Sequence, residues 1–381
     1  MEYSEQICTY ALSRIFLREP KLSRAVIDTL GSAGAIFSLD DDGLFEALGP
    51  FCKYRDAIAR TDLGKTEEDL HRILKETSSR YLWHGHPDFP QALSNCEDGP
   101  VGFFFKSADE PGNVFRRESV SVVGTRDITP YGREWCGRIV TALGGTDERP
   151  AIVSGLAYGV DITAQLKALE TGLPTIAVLG NGTGSIYPAA HSSYAERIAG
   201  TQGCAVISEY PPDTDVLAVN FLARNRIIAG LSRATVLVES KIRGGGMTTA
   251  RIAASYGRDV FAVPGRNDDL RSQGCNALIQ SHTADALADT DRFLDSLGYH
   301  RRKAKAVAVR SDGHDASISG ADVDTAGALL VRIRARRGIT VEELAAEARL
   351  PIHRVRAILT GLEADGIIDM DILGRCSINR S

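Results

Sequence analysis

From Ser119 to about Leu287, short apolar runs alternate with longer stretches of helical period. The runs are Val120–Val123, Ala151–Val153, Thr175–Leu179, Ala205–Ile207, Ala234–Val238 and Asp259–Val263. They are too short for helices and lack polar alternation, as expected of strands buried on both faces. Strands alternating with helices predict an α/β domain with a parallel sheet covered on both sides. Ligands of such sheets bind beyond the carboxyl ends of the strands. The loops there are Gly124-Thr125-Arg126, Ser154-Gly155-Leu156, Gly180–Gly184, Ser208-Glu209, Ser240–Gly246 and Pro264-Gly265-Arg266.

The flanks follow a different pattern. Residues 1–75 predict a small helical domain punctuated by Gly31, Gly34, Gly43 and Gly49. Its run GSAGAIFSLDDDGLFEALG has the outline of a helix-hairpin-helix DNA module. The turn, however, carries Asp40, Asp41 and Asp42 where such a module needs cations, so a packing role is expected. The main domain is expected over 81–297 and a linker over 298–321, with a basic cluster at Arg301–Lys305 that reads equally as solvated charge. Residues 322–381 predict a helix-turn-helix with a wing. Thr340 and Glu343 form a capping box ahead of Val341, Leu344, Ala345 and Ala348. Pro351 opens a second helix with a buried stripe of Ile352, Val355, Leu359 and Leu362, and with His353, Arg354 and Arg356 facing outward. Asp365-Gly366 then turns into a strand over Ile367–Ile372. Such a unit serves either duplex DNA or a protein partner.

The densest chemistry lies in NFLARNRIIAGLSRATVLVESKIRGGGMTTAR, residues 220–251, which predicts a helix, a buried strand and a second helix joined by the triple glycine Gly244–Gly246. A glycine loop leading into a helix leaves backbone N–H groups free for an anion. The chain of 381 residues has a formal charge of −5 and 43% hydrophobic residues. Basic charge is therefore local rather than global, and Arg126, Arg224, Arg226, Lys241 and Arg243 are expected to converge at one sheet end. Seven cysteines are scattered without a C-x-x-C pair, which argues against a zinc site and a disulfide framework and fits reduced cytosol. No apolar run reaches the roughly 18 residues a membrane span needs, and the start MEYSEQICTYALSRIF lacks a signal-peptide layout.

Several familiar chemistries fit poorly. Gly180–Gly184 lacks G-x-G-x-x-G spacing, and Tyr187-Pro188 interrupts the helix that should follow, so a surface loop closing the sheet edge is expected in place of a dinucleotide site. The triple glycine is not a P-loop. Ser154 lies outside G-x-S-x-G and is expected to bond a loop backbone. His84, His86 and Asp88 in HGHPDFP are too few for a metal site and predict a proline-shaped turn. Pattern alone places Phe221 in the core and gives Arg226 a competing role as the partner of Glu209 or Glu239.

Motifs in order along the main domain resemble the DNA-processing protein A family, also called DprA or Smf. They are VGTRDITPYG (123–132), SGLAYGVD (154–161), TIAVLGNGTGSIYP (175–188), SEYPP (208–212), NFLARNRIIAGLS (220–232), GRDVFAVPG (257–265) and QGCNALI (273–279). The resemblance implies an extended Rossmann-like sheet that binds single-stranded DNA and takes no nucleotide cofactor. It implies a dimeric, non-enzymatic mediator that helps RecA load past single-strand-binding protein during natural transformation. By position, Arg126 grips phosphate beside Gly124, Ser154 and Gly155. Phe221 stacks a base, against the pattern-only reading. Arg224, Asn225 and Arg226 build the pocket wall, and Gly245 and Thr248 complete it. Lys241, from the basic-loop reading, and His353, Arg354 and Arg356, from the tail reading, are further candidate contacts.

The chain departs from the family at several positions. Tyr158 and Gln165 replace an Arg and a His, Gly244 and Gly246 replace serines, and no cation lies in Val216–Val219. These changes are expected to remove phosphate contacts. His282-Thr283 replaces a glycine-alanine where the family dimerises. The rival readings are a LOG-like phosphoribohydrolase, for which the triple-glycine loop lacks the proline and catalytic glutamate, and a winged-helix regulator that senses a metabolite.

Overall fold

Nine strands form one sheet in the computed structural model, which describes residues 3–50, 52–302, 320–336, 338–364, 367–371 and 374–378. They are Arg80–Trp83 (β1), Gly102–Lys106 (β2), Ser119–Val123 (β3), Ala151–Ser154 (β4), Thr175–Val178 (β5), Ala205–Ser208 (β6), Ala234–Leu237 (β7), Asp259–Ala262 (β8) and Asp285–Ala286 (β9). Their spatial order is β1-β2-β6-β5-β4-β3-β7-β8-β9. All six apolar runs are strands, and β3 to β9 pair in parallel. β1 and β2 add an antiparallel edge against β6. The run Phe103–Phe105 is buried throughout and shows no alternation, so its sequence carries little strand signal.

The order runs outward from β3 in one direction to β6, and the chain then returns to place β7 on the other side of β3. The gap between the ends of β3 and β7 is therefore the topological switch point, where neighbouring loops diverge and leave a crevice. Two apolar layers fix the sheet. One packs Val123, Ile176, Ile207 and Leu237 against helices Ala218–Leu231 and Gly245–Ser255; the other packs Val122, Ile152 and Val236 against Pro130–Gly144 and Val160–Glu170. Each fully buried Val, Leu or Ile contributes roughly 1.5–3 kcal/mol by removal from water.

The N-terminal helices belong to the same compact unit as the sheet, within 1–303. Tyr10 meets Tyr81 and Phe104 edge-on at 5.6 and 5.9 Å, which ties helix Glu5–Ile15 to β1 and β2. The acidic run has a local use: Asp40 caps helix Asp41–Leu48 by accepting from Gly43 N at 2.9 Å, and Asp41 and Asp42 lie in its first turn, where carboxylates are favoured. HGHPDFP is a turn. His86 Nδ1 accepts from Asp88 N at 3.0 Å and Asp88 pairs with Arg116 at 2.7 Å. Among the described residues no helix is long and apolar enough to cross a membrane, and no cluster of His, Cys, Asp or Glu could hold a metal ion.

The second unit lies within 304–381. Helices Gly320–Ala335, Val341–Ala348 and Ile352–Ala364 accompany a three-stranded antiparallel sheet of Ile339–Thr340 (β10), Ile368–Met370 (β11) and Arg375–Ile378 (β12), in the order β10-β12-β11. The capping box forms, with Glu343 N donating to Thr340 Oγ1 at 3.2 Å and Thr340 N to Glu343 Oε2 at 3.0 Å. The stripe on the last helix differs from expectation by one position. Ile358 is buried with Val355, Leu359 and Leu362, whereas Ile352 in the first turn is exposed. His353 and Arg356 are exposed and Arg354 is half-buried. The cations at Lys303 and Lys305, linker residues 303–319, the Asp365-Gly366 turn and the end of the strand at Ile372 lie outside the described residues.

Candidate functional site

The loop after β3 is held by backbone contacts that only glycine permits. A Cβ on Gly124 would fall 2.6 Å from Val160 Cγ2 and 2.8 Å from the Glu239 carbonyl oxygen. Thr125 N donates to that carbonyl at 2.7 Å, and Val160 N donates to Thr125 O at 3.1 Å. The buried Glu239 carboxylate accepts from Thr129 N at 2.9 Å and from the Thr129 hydroxyl. Glu239 thus ties the β7 end to the 124–132 loop. It does not pair with Arg226.

Across the switch point, the triple glycine leads into helix Gly245–Ser255, whose first turn holds no acidic residue. Thr248 N is the first amide to bond back along the helix, to Gly244 O. The amides before it face the crevice end with the positive end of the helix dipole. The loops around them enclose a pocket of about 810 Å³. Gly124, Arg126, Phe221, Arg224, Asn225, Lys241 and Gly245 line it, so most of the expected set converges.

Four expected members lie elsewhere. Ser154 is fully buried and its hydroxyl donates to Val122 O at 2.7 Å, inside the sheet. Gly155 has a different role from close approach to a ligand: a Cβ there would lie 2.5–2.7 Å from the Arg224 guanidinium. Arg226 turns away from the pocket and pairs with Glu209 at 2.5 Å, while its Nη1 donates to Asp98 O at 2.5 Å. Residues two positions apart on a helix lie about 200° apart around its axis, so Arg224 and Arg226 cannot share a face. Thr248 packs outside the lining, and Thr249, one turn beyond Gly245 and Gly246, lines the pocket in its place.

Burial sets the charge state of the pocket floor. Arg224 is 3% exposed; its Nη1 donates to Gly155 O at 2.9 Å and to Val178 O, and its Nε has no partner. Burial pushes its guanidinium down to about 10, opposed by Asp161. Burial raises the Asp161 carboxyl, opposed first by Arg224, and Asp161 Oδ2 accepts from Gly155 N at 3.1 Å. For both groups burial opposes the charged form and their mutual attraction favours it, so Arg224 and Asp161 are a coupled pair at the pocket floor. At the rim, exposed Arg126, Lys241 and Arg243 make no ion pair among the described residues. The rim carboxylate Asp127 is taken by Arg271. Phe221 sits between these groups, its centroid 6.0 Å from Arg126 Cζ, 5.9 Å from Arg224 Cζ and 5.5 Å from the ring of Tyr187.

Residues 180–184 are not the expected surface loop. Gly180, Asn181 and Gly182 are buried, and a Cβ on Gly182 would meet the Pro211 and Pro212 carbonyls at 2.2–2.3 Å. A Cβ on Gly180 would lie 2.8 Å from Phe221 Cδ1. The loop is the seat on which Phe221 rests. Tyr187, Asp161, Ser240 and Thr249 line the pocket without having been singled out as binding residues. Helical spacing would have found one group: Ala218, Phe221, Arg224, Asn225 and Ile228 fall on one face of helix Ala218–Leu231.

The departures at Tyr158 and Gln165 remove nothing from this pocket. Tyr158 packs edge-on against His191 at 4.8 Å, and Gln165 is buried with Nε2 donating to Ile176 O at 3.3 Å. Gly246 leaves no room for a side chain, since a Cβ would lie 2.9 Å from Gly124 Cα. His282 adopts φ 54°, in the left-handed region that favours glycine, which accounts physically for the family's glycine there.

Comparison with known proteins identifies relatives of this chain. The family model for DNA recombination-mediator protein A matches residues 80–298. The chain is 40% identical over 194 residues to the DNA processing protein DprA of Streptococcus pneumoniae and 34% identical over 256 residues to Protein Smf of Escherichia coli. These alignments take in 50% and 64% of this chain, and 65% and 67% of the respective relatives. The X-ray structure of the Streptococcus pneumoniae protein superposes with a TM-score of 0.63 at 30% identity, covering 77% of this chain and 98% of that one. The DNA processing protein A of Helicobacter pylori, whose structure addresses its single-stranded DNA binding mode, superposes with a TM-score of 0.51 at 28% identity, covering 58% and 97%.

Proposed function

Because the chain belongs to the DNA recombination-mediator protein A family, also called DprA or Smf, we propose that its switch-point pocket binds single-stranded DNA and that the protein mediates recombination by presenting that strand to a RecA-type recombinase. The observation that carries this reading is the set of three rim cations, Arg126, Lys241 and Arg243, which make no ion pair among the described residues and stand around Phe221 and above the buried Arg224. Cations beside an amide-rich helix terminus suit phosphate, and an accessible aromatic suits a base with no sequence preference. A duplex keeps its base faces stacked inside and has none to offer Phe221. The role is binding rather than catalysis: Ser154 is committed to Val122 O, and the triple-glycine loop carries no acidic residue to act as a base. Dimer formation, a cytoplasmic location and displacement of single-strand-binding protein are parts of the same proposal, supported by family membership. The outward His353 and Arg356 make the small C-terminal unit, read as a winged helix, a second nucleic-acid or protein contact.

The test is RecA filament nucleation on single strands coated with single-strand-binding protein. The wild-type chain is expected to shorten the nucleation lag. Arg126→Ala, which removes a phosphate contact at an exposed position, is expected to bind oligo-dT about 10-fold more weakly and to lose most of the stimulation. Full stimulation by Arg126→Ala would remove the pocket from the proposal.

A further inference from the structure

The cations and the large apolar side chains of the pocket rim come from different segments. Every rim cation belongs to the loops after β3 and β7: Arg126, Lys241 and Arg243. The remaining rim is Tyr187, Val216, Ala218 and Leu222, with no charged group among them. These side chains are not core. Tyr187 is 44% exposed, Val216 43% and Leu222 57%, and their neighbours Leu217 and Val219 are exposed as well. Large apolar side chains clustered in solvent at the mouth of a basic pocket mark a binding surface. A single strand is itself two-sided, with phosphates along one edge and apolar base faces along the other.

We infer that the rim is divided: the 124–127 and 240–246 loops hold phosphates, and Tyr187 with Val216 and Leu222 forms a base-facing wall that extends the platform of Phe221. The inference rests on the single-strand reading and adds its orientation and the residues that favour bases over bare backbone. Tyr187 already stands edge-on to Phe221 at 5.5 Å, so a base laid on Phe221 meets the Tyr187 ring alongside it. The 216–219 segment carries no cation, and its apolar side chains suit a base or sugar face. Affinity in this protein thus shifts from counterion release towards stacking, and the two have different signatures. Phosphate contacts set the slope of log affinity against log salt, about 0.7 per contact for single strands, whereas stacking changes affinity at constant slope.

The experiment compares labelled oligo-dT with an abasic oligonucleotide of the same length, bound to the full chain across a salt series. The wild type is expected to hold dT at least about 5-fold tighter than the abasic strand. Tyr187→Ala and Leu222→Ser are expected to close most of that gap without changing the slope; both side chains are exposed, so the fold is retained. Arg126→Ala is expected to weaken both strands together and to reduce the slope by about 0.7. Variants at Tyr187 and Leu222 that weaken both strands equally would overturn the base-facing wall while leaving the single-strand reading intact; equal wild-type affinity for the two strands would overturn the wall and remove base stacking on Phe221 as well. If the wild type bound neither strand, both would fall.

Discussion

Replacing Arg226 with leucine is expected to cost roughly 3–5 kcal/mol of stability, the range for removing one partner from a buried ion pair. Arg226 and Glu209 are 7% exposed each, and the guanidinium also satisfies the Asp98 carbonyl. Burial alone would lower the arginine's affinity for its proton; Glu209 beside it reverses the direction and holds the charged form. Leucine would fill most of the volume but leave the Glu209 carboxylate without its countercharge in a dry site. The melting temperature should fall by on the order of 10 °C. The double variant Arg226→Leu/Glu209→Leu removes both charges and should recover most of the loss. Affinity for single strands, measured on the folded fraction, should stay close to wild type, because Arg226 does not line the pocket. A large affinity loss with unchanged stability would show that Arg226 belongs to the binding face after all.

Gly155→Ala is expected to be the most damaging small substitution for binding. The added methyl group would sit 2.5–2.7 Å from the Arg224 guanidinium, which is fixed by the Gly155 and Val178 carbonyls and has nowhere to go within the floor. Either the guanidinium is expelled or the β4 end shifts, at a cost of roughly 1–3 kcal/mol from overpacking. Loss of a charged hydrogen bond to phosphate, worth roughly 1.5–3 kcal/mol, corresponds to about a 10- to 100-fold weaker complex. Gly155→Ala/Arg224→Ala should then bind no worse than Arg224→Ala alone, since both act through one group. Additive losses would mean that Gly155 contributes by another route.

Much of the architecture is legible because the physics is local. Strands buried on both faces must be short, apolar and free of alternation, and each of the six such runs is a strand. β1 and β2 escape that test: Phe103–Phe105 packs apolar groups on both sides, and the histidines and prolines of the intervening turn dominate its neighbourhood. The convergence of Arg126, Phe221, Arg224 and the triple glycine is also legible, since a doubly wound sheet brings the loops after β3 and β7 together. Which arginine faces the pocket is not. Helix Ala218–Leu231 buries residues on all sides, so its apolar pattern does not orient it, and only the position of Glu209 at the end of β6 decides that Arg226 turns away. The burial of residues 180–183 likewise depends on the distant Pro211-Pro212 carbonyls. Glycine composition alone suggests an exposed loop there.

The most direct measurement is equilibrium fluorescence anisotropy of the full chain with labelled oligo-dT and with the matching duplex, repeated across a salt series. Tighter single-strand binding, with log affinity falling against log salt by at least about 2, is the expected result for three rim cations. Equal or tighter duplex binding, or single-strand affinity indifferent to salt, would contradict the pocket as a single-strand site.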